Sequence, residues 1–119
     1  MIKKLFKRIF GKSVRTRIEG KCHIIPFDVH GVSRDGISPA ARRVTDGLQA
    51  AGYAAFVVGG AVRDLLLNRH PKDFDIATDA TPEEVRRVFR RSRIIGRRFR
   101  LVHVLFGEET VETSLFAAR

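Results

Sequence analysis

Residues 57–85 read VVGGAVRDLLLNRHPKDFDIATDATPEEV, and the fold is legible outward from this stretch. Residues 53–58 are short, apolar and rich in β-formers and stop at Gly59-Gly60, the pattern of a buried strand. Residues 61–67 open a short helix directly from the two glycines, and residues 68–72, with Pro71 among them, make a turn. Asp73-Phe74-Asp75-Ile76 alternates carboxylate with apolar residue as far as Thr78. That predicts a second strand carrying both carboxylates on one face and Phe74 and Ile76 on the other. Thr81-Pro82-Glu83-Glu84 is a capping box with proline at the first helical position, opening a helix that runs to about Phe89.

Upstream, Ser38-Pro39 supplies an N-cap and a first-position proline, Ala41, Val44, Leu48 and Ala51 fall on one face, and Gly52 is the stop. Downstream, residues 101–106 and 110–115 read as two more strands turned by Gly107-Glu108-Glu109. The order of elements predicts an α/β (α+β) domain, a small sheet with helices packed on at least one face. Residues 38–119 form this domain and residues 1–37 a basic, partly disordered arm. Within the arm, Ile2, Leu5, Phe6, Ile9 and Phe10 recur at roughly helical spacing among Lys3, Lys4, Lys7 and Arg8. A basic amphipathic turn of that kind would let residues 1–12 touch anionic lipid or RNA.

The 119 residues carry 23 Lys and Arg against 13 Asp and Glu, a net charge of +10. Such a balance favours a polyanionic partner, nucleic acid before anionic membrane. One cysteine, Cys22, excludes an internal disulfide framework and makes a reducing cytoplasm the default compartment. No apolar run approaches the roughly 18 residues of a membrane span. The start, MIKKLFKRIFGK, lacks the long apolar stretch of a signal peptide.

Three features carry chemistry. Asp73 and Asp75, two apart on a strand, hold like charges side by side, a repulsion that a divalent cation relieves; Mg²⁺ takes such hard oxygens together with substrate phosphates. Two ions about 3.5–4 Å apart serve an in-line phosphoryl displacement, although a bare D-x-D is common on solvated strands. Gly59-Gly60, between strand and helix, lets backbone approach phosphate oxygens, and Arg63, one turn in, presents a planar fork beside Asp64. As a pattern this is neither a Walker A loop nor a dinucleotide fingerprint. Glu112 would add a third carboxylate if its strand lies beside that of Asp73 and Asp75. Beyond these, Arg86, Arg87, Arg90, Arg91, Arg93, Arg97, Arg98 and Arg100 fall within residues 86–100 with no acid among them. Arg86 and Arg90, four apart on a helix, would repel unless an anion lies near, so the run reads as a phosphate-contacting ridge. His103 reads as a packed or hydrogen-bonded histidine, and His70 as an ordinary turn residue.

Taken together, residues 57–85 resemble the head signature of class II template-independent nucleotidyltransferases, the family of bacterial poly(A) polymerases and CCA-adding tRNA nucleotidyltransferases. The resemblance implies a DNA polymerase β-like nucleotidyltransferase head with a small mixed sheet. It implies that Asp73, Asp75 and Glu112 bind two Mg²⁺ ions, with Mn²⁺ as an alternative, and are the catalytic carboxylates. It also places Gly59, Gly60, Arg63, Asp64 and Lys72 at the nucleotide. Residues 94–104, IIGRRFRLVHV, resemble the segment that sets poly(A) polymerases apart from their CCA-adding relatives, where Arg-Phe is usually followed by a smaller Gly/Thr-containing stretch. Arg97, Arg98 and Arg100 then contact RNA or phosphate. The resemblance covers residues 23–116, the front part of a head; members continue with an Arg-Arg-Asp-Phe-like motif and helical domains that select the base and hold RNA, so this chain is read as truncated.

The implied activity is template-independent addition of AMP from ATP to RNA 3′ ends. CCA addition, which needs CTP as well, is the alternative within the family. A non-catalytic basic RNA-binding fragment is the alternative of another class, and it would keep its RNA in a chelator where catalysis stops.

Overall fold

The structure, a computed structural model, describes residues 23–116. The membrane or RNA contact read for residues 1–12 lies outside the described residues. Over residues 23–37 two short turns of helix appear that the sequence pattern did not predict: α1, Phe27–His30, and a 3-10 turn, Arg34–Gly36. Arg34 Nη2 pairs with Asp46 Oδ2 at 3.0 Å and Ile37 enters the core, so this segment is fastened to the body of the domain.

Helix α2, Pro39–Ala50, begins where its cap predicts: Ser38 Oγ accepts from the Ala41 N–H at 3.1 Å and Pro39 occupies the first turn. The same hydroxyl donates to Glu109 Oε1 at 2.6 Å, joining the helix start to the last strand. Ala41, Val44, Thr45 and Leu48 are buried. Strand β1, Ala55–Val58, leads through Gly59 into α3, Gly60–Leu66. Strand β2 spans Asp75–Thr78, so Asp73 stands just ahead of the strand rather than in it. The alternation nevertheless extends back through it, because Phe74 (3% exposed) and Ile76 (1%) are buried while Asp73 and Asp75 are exposed. Helix α4, Pro82–Val88, carries the full reciprocal capping box of Thr81 and Glu84.

Helix α4 ends before Arg90, so the expected repulsion between Arg86 and Arg90 on one helix does not arise. Instead the arginine-rich segment forms β3, Ser92–Ile95, which pairs antiparallel with β4, Leu101–Phe106; β5, Glu109–Leu115, comes last. Strand β3 was hidden because four residues with Arg93 and Ile95 outward offer little apolar period. Charged side chains on an edge strand also discourage further pairing.

The sheet runs β1-β2-β5-β4-β3, antiparallel except for the central β2–β5 pair. A parallel pair needs a crossover, and here α4, β3 and β4 supply it. Helices α2 and α4 share one core with the sheet, made of Val44, Leu48, Ile76, Val85, Val102, Val104 and Val111. Gly47 in mid-α2 gives up about 1 kcal/mol of helix propensity relative to alanine. Its reason is contact: a Cβ there would come within 2.6 Å of the Phe89 ring. Among the described residues no helix is long and apolar enough to cross a membrane.

Candidate active site

Alternation on the strands sends one set of residues into the core and the other away from it. In register across the sheet, Asp75 on β2 faces Glu112 on β5, Glu112 faces His103 on β4, and His103 faces Arg93 on β3. The conditional pairing of the Glu112 strand is therefore realised: Glu112 is the direct neighbour of Asp75. His103 Nε2 lies 3.9 Å from Glu112 Oε2, both side chains partly exposed, so the histidine stands beside the carboxylate rather than packed in the core.

Asp73 and Asp75 open onto a hollow of about 460 Å³, lined also by Gly60, Ala61, Arg63, Asp64, Arg69, His70 and Lys72. Gly59 lies directly against one of these carboxylates. Its φ of 75° is a conformation that side-chain-bearing residues rarely adopt, and a Cβ there would sit 3.2 Å from Asp75 Oδ2. The second carboxylate thus rests over bare backbone. Arg63 folds back over Gly60, its Nη2 and Nε 3.2 and 3.3 Å from Asp64 Oδ1. Asp64 accordingly acts here as the partner that orients Arg63. The turn after α3 is closed by the Arg69 N–H donating to the Asp64 carbonyl at 2.8 Å, with Asn68 at φ 57°.

Of the residues read from the sequence, Gly60, Arg63, Asp64, Lys72, Asp73 and Asp75 meet at this hollow, while Gly59 and Glu112 each stand beside Asp75. Arg97, Arg98 and Arg100 do not join them. They occupy the exposed β3–β4 loop, where Arg100 Nη1 pairs with Glu83 Oε1 and the Arg98 guanidinium lies 5.7 Å from the Phe99 ring centre. Glu83 is held below the usual carboxylate range by its own backbone N–H in the first turn of α4, then by Arg100. The cations at the hollow are instead Arg63, Arg69 and Lys72, with His70. His70 was read as an ordinary turn residue and Arg69 only as part of that turn, although a turn with three nitrogen side chains directly ahead of two aspartates was the available signal.

Hard oxygens from Asp73, Asp75 and Glu112 suit Mg²⁺ or Mn²⁺. As the side chains stand, no group of three His, Cys, Asp or Glu among the described residues is gathered closely enough to hold an ion alone. Such a donor set fits an ion that completes its shell with substrate phosphates and water. With Asp73 and Asp75 lining the same hollow as Arg63, Arg69 and Lys72, it can take a ligand that brings cation and polyphosphate together.

Residues 55–119, more than half the chain, match the family model described as the Poly A polymerase head domain. The chain is 55% identical over 93 residues to poly(A) polymerase I of Escherichia coli O6:H1, a match covering 78% of this chain and 20% of that one. It is 49% identical over 76 residues to the CCA-adding enzyme of Lactobacillus helveticus, covering 64% and 19% respectively. The solved structure of the Bacillus stearothermophilus CCA-adding enzyme in complex with CTP is similar at a TM-score of 0.58 and 37% identity, over 66% of this chain and 20% of that chain. The chain thus spans about a fifth of the length of the curated relatives it matches. From signature to sheet, it belongs to the poly(A) polymerase head-domain family.

Proposed function

We propose that this chain carries the nucleotide- and metal-holding part of an RNA 3′-end nucleotidyltransferase that adds AMP from ATP, acting in the cytoplasm. Residues 38–119 are the partial head and residues 1–37 its basic arm, fastened to the head through Arg34 and Ile37. The observation that carries the reading is the convergence of Asp73 and Asp75 on the hollow faced by Arg63 and Lys72, with Glu112 in register beside Asp75.

In this reading Asp73, Asp75 and Glu112 hold two divalent ions, Mg²⁺ or Mn²⁺. When bound, such ions lower the pKa of a hydroxyl nucleophile and offset charge on a departing pyrophosphate. Arg63 and Lys72 grip the triphosphate, joined by Arg69, and Asp64 keeps the Arg63 fork turned toward it. Gly59 and Gly60 let the phosphates approach the main chain. The RNA 3′ oxygen displaces pyrophosphate from the α-phosphorus of ATP, and Arg97 and Arg98 contact RNA phosphates from the loop beyond β3.

A second reading, CCA addition, is favoured by the match to enzymes of that name. Against it stand residues 100–103, Arg-Leu-Val-His, and the longer match to poly(A) polymerase I.

The test is binding of each nucleoside triphosphate in Mn²⁺, followed by incubation with labelled RNA, beside Asp73→Ala/Asp75→Ala. Mn²⁺-dependent ATP binding lost in the double variant supports the site, and extension with ATP alone supports polyadenylation. Incorporation of CTP supports the second reading. Metal-independent RNA binding with no nucleotide binding would leave a basic RNA-binding fragment.

A further inference from the structure

On the helix-covered side of the sheet, away from the carboxylates, a groove of about 470 Å³ runs between α2, the end of α4 and the foot of β4. Its apolar wall is Val88, Phe89 and Phe106, and its rim carries Arg43, Arg90 and Arg91. The two rings meet edge-on, 6.1 Å between centres at 75°, and the Arg43 guanidinium lies 5.6 Å from the Phe106 centre. No carboxylate lines the groove, and none of the three arginines pairs with an acid among the described residues.

The groove is fixed from several sides. Gly47 leaves room for the Phe89 ring, which a Cβ would strike. Ser92 Oγ donates to the Phe89 carbonyl at 2.5 Å, and the Leu105 N–H donates to the Arg91 carbonyl at 2.8 Å. Arg90 and Arg91 are therefore carried on a short, doubly tied turn. Three unpaired guanidinium groups around aromatic faces match a ligand with both phosphates and flat rings. Residues 1–22 are a poor occupant, being basic apart from Glu19, and a second copy would bring the same +10 charge.

We infer that this groove binds single-stranded RNA, a base lying against Phe106 and Phe89 and the flanking phosphates on Arg43, Arg90 and Arg91. It rests on the functional reading above only in taking RNA as the substrate. The carboxylate hollow takes the 3′ end, and the groove holds nucleotides upstream of it, around the sheet from the chemistry.

The test measures anisotropy of a labelled oligoadenylate with the 119-residue chain in EDTA across a salt series. Arg43→Glu/Arg91→Glu is set against Arg15→Glu/Arg17→Glu, an equal charge change at two arginines to which no RNA contact is assigned. The groove pair should lose tenfold or more in affinity and flatten the log–log salt slope by roughly 1.4, about 0.7 for each single-strand phosphate no longer neutralised. The control pair should lose less than threefold. Phe106→Leu, which keeps apolar bulk but removes the ring, should lose roughly fivefold or more in the affinity of the folded protein, measured well below its melting midpoint. Equal losses from both pairs, or groove variants that bind like wild type, would overturn the groove site while leaving the nucleotidyltransferase reading intact. Loss of phosphatidylserine-vesicle binding without loss of RNA binding would overturn it in favour of lipid. A wild-type chain that binds no RNA, yet still binds ATP with Mn²⁺, would overturn it and leave the hollow's nucleotide chemistry standing.

Discussion

On β2, β4 and β5, neighbouring residues go to opposite faces of the sheet, and the two sets differ in kind. Toward α2 and α4 go Ile76, Val102, Val104 and Val111, none more than 1% exposed. Toward the other face go Asp75, His103 and Glu112, exposed or half-buried and charged or polar. One set is closed by packing; the other leaves like charges side by side across the β2–β5 pair. The helix-covered face supplies most of the hydrophobic stabilisation, at about 25 cal/mol per Å² of apolar area removed from water. The open face buries little apolar area and carries the carboxylates that the proposed chemistry uses. Mutations on the two faces should therefore separate affinity from stability.

The largest expected effect is on the open face. Asp73→Ala/Asp75→Ala should weaken Mn²⁺-dependent ATP binding by more than the roughly 10–100-fold that loss of an outer-shell metal partner costs. Its melting midpoint should hold or rise, because two neighbouring like charges are gone; isothermal calorimetry and a thermal melt read the two quantities. A large fall in the midpoint would erase the distinction between the faces.

On the covered face the pattern should invert. Leu48→Ala empties a fully buried site in α2 and should cost about 2–5 kcal/mol in urea unfolding. ATP affinity of the folded fraction should stay near wild type.

Gly59→Ala is the substitution that should move both quantities. Its φ of 75° with ψ of −147° is a region nearly reserved for glycine and costs alanine about 1–3 kcal/mol, and the added Cβ would press on Asp75 Oδ2. Stability and nucleotide affinity should fall together, each by less than in the two cases above.

The smallest effect concerns pH. The Glu83 carboxyl is lowered from 4.5 by its backbone N–H and then by Arg100. A depressed carboxyl contributes stability that is present above its unfolded value and is lost as pH falls through the folded one. Glu83→Gln should therefore narrow the difference between melting midpoints at pH about 6 and at acid pH below 4.5. An unchanged difference would show that the contact between α4 and the β3–β4 loop contributes nothing.

Much of this fold was legible locally. Ser38-Pro39 and Thr81-Pro82 start their helices where caps predict, since cap chemistry depends on a few adjacent residues. The alternation of Phe74 and Ile76 with Asp73 and Asp75 was readable even though Asp73 lies outside β2, because extended backbone keeps the period of two. β3 was not legible: Ser92–Ile95 becomes a strand through its partner β4, and its own residues read as a basic surface. Arg69 and His70 read as turn residues; only the folded turn after α3 brings them into one hollow with Gly60, Asp73 and Asp75.

The signature of residues 57–85 was enough to predict the family, the strand–glycine–helix unit and the two aspartates, because those depend on short-range spacing. It could not say that Glu112 lies against Asp75, that His103 lies against Glu112, or that Phe89 from the end of α4 meets Phe106 from β4. Those neighbours come from a parallel β2–β5 pair reached by a crossover of three elements and from two helices closing on one core. A period of two assigns each side chain a face; only long-range hydrogen bonding and packing assign it a neighbour.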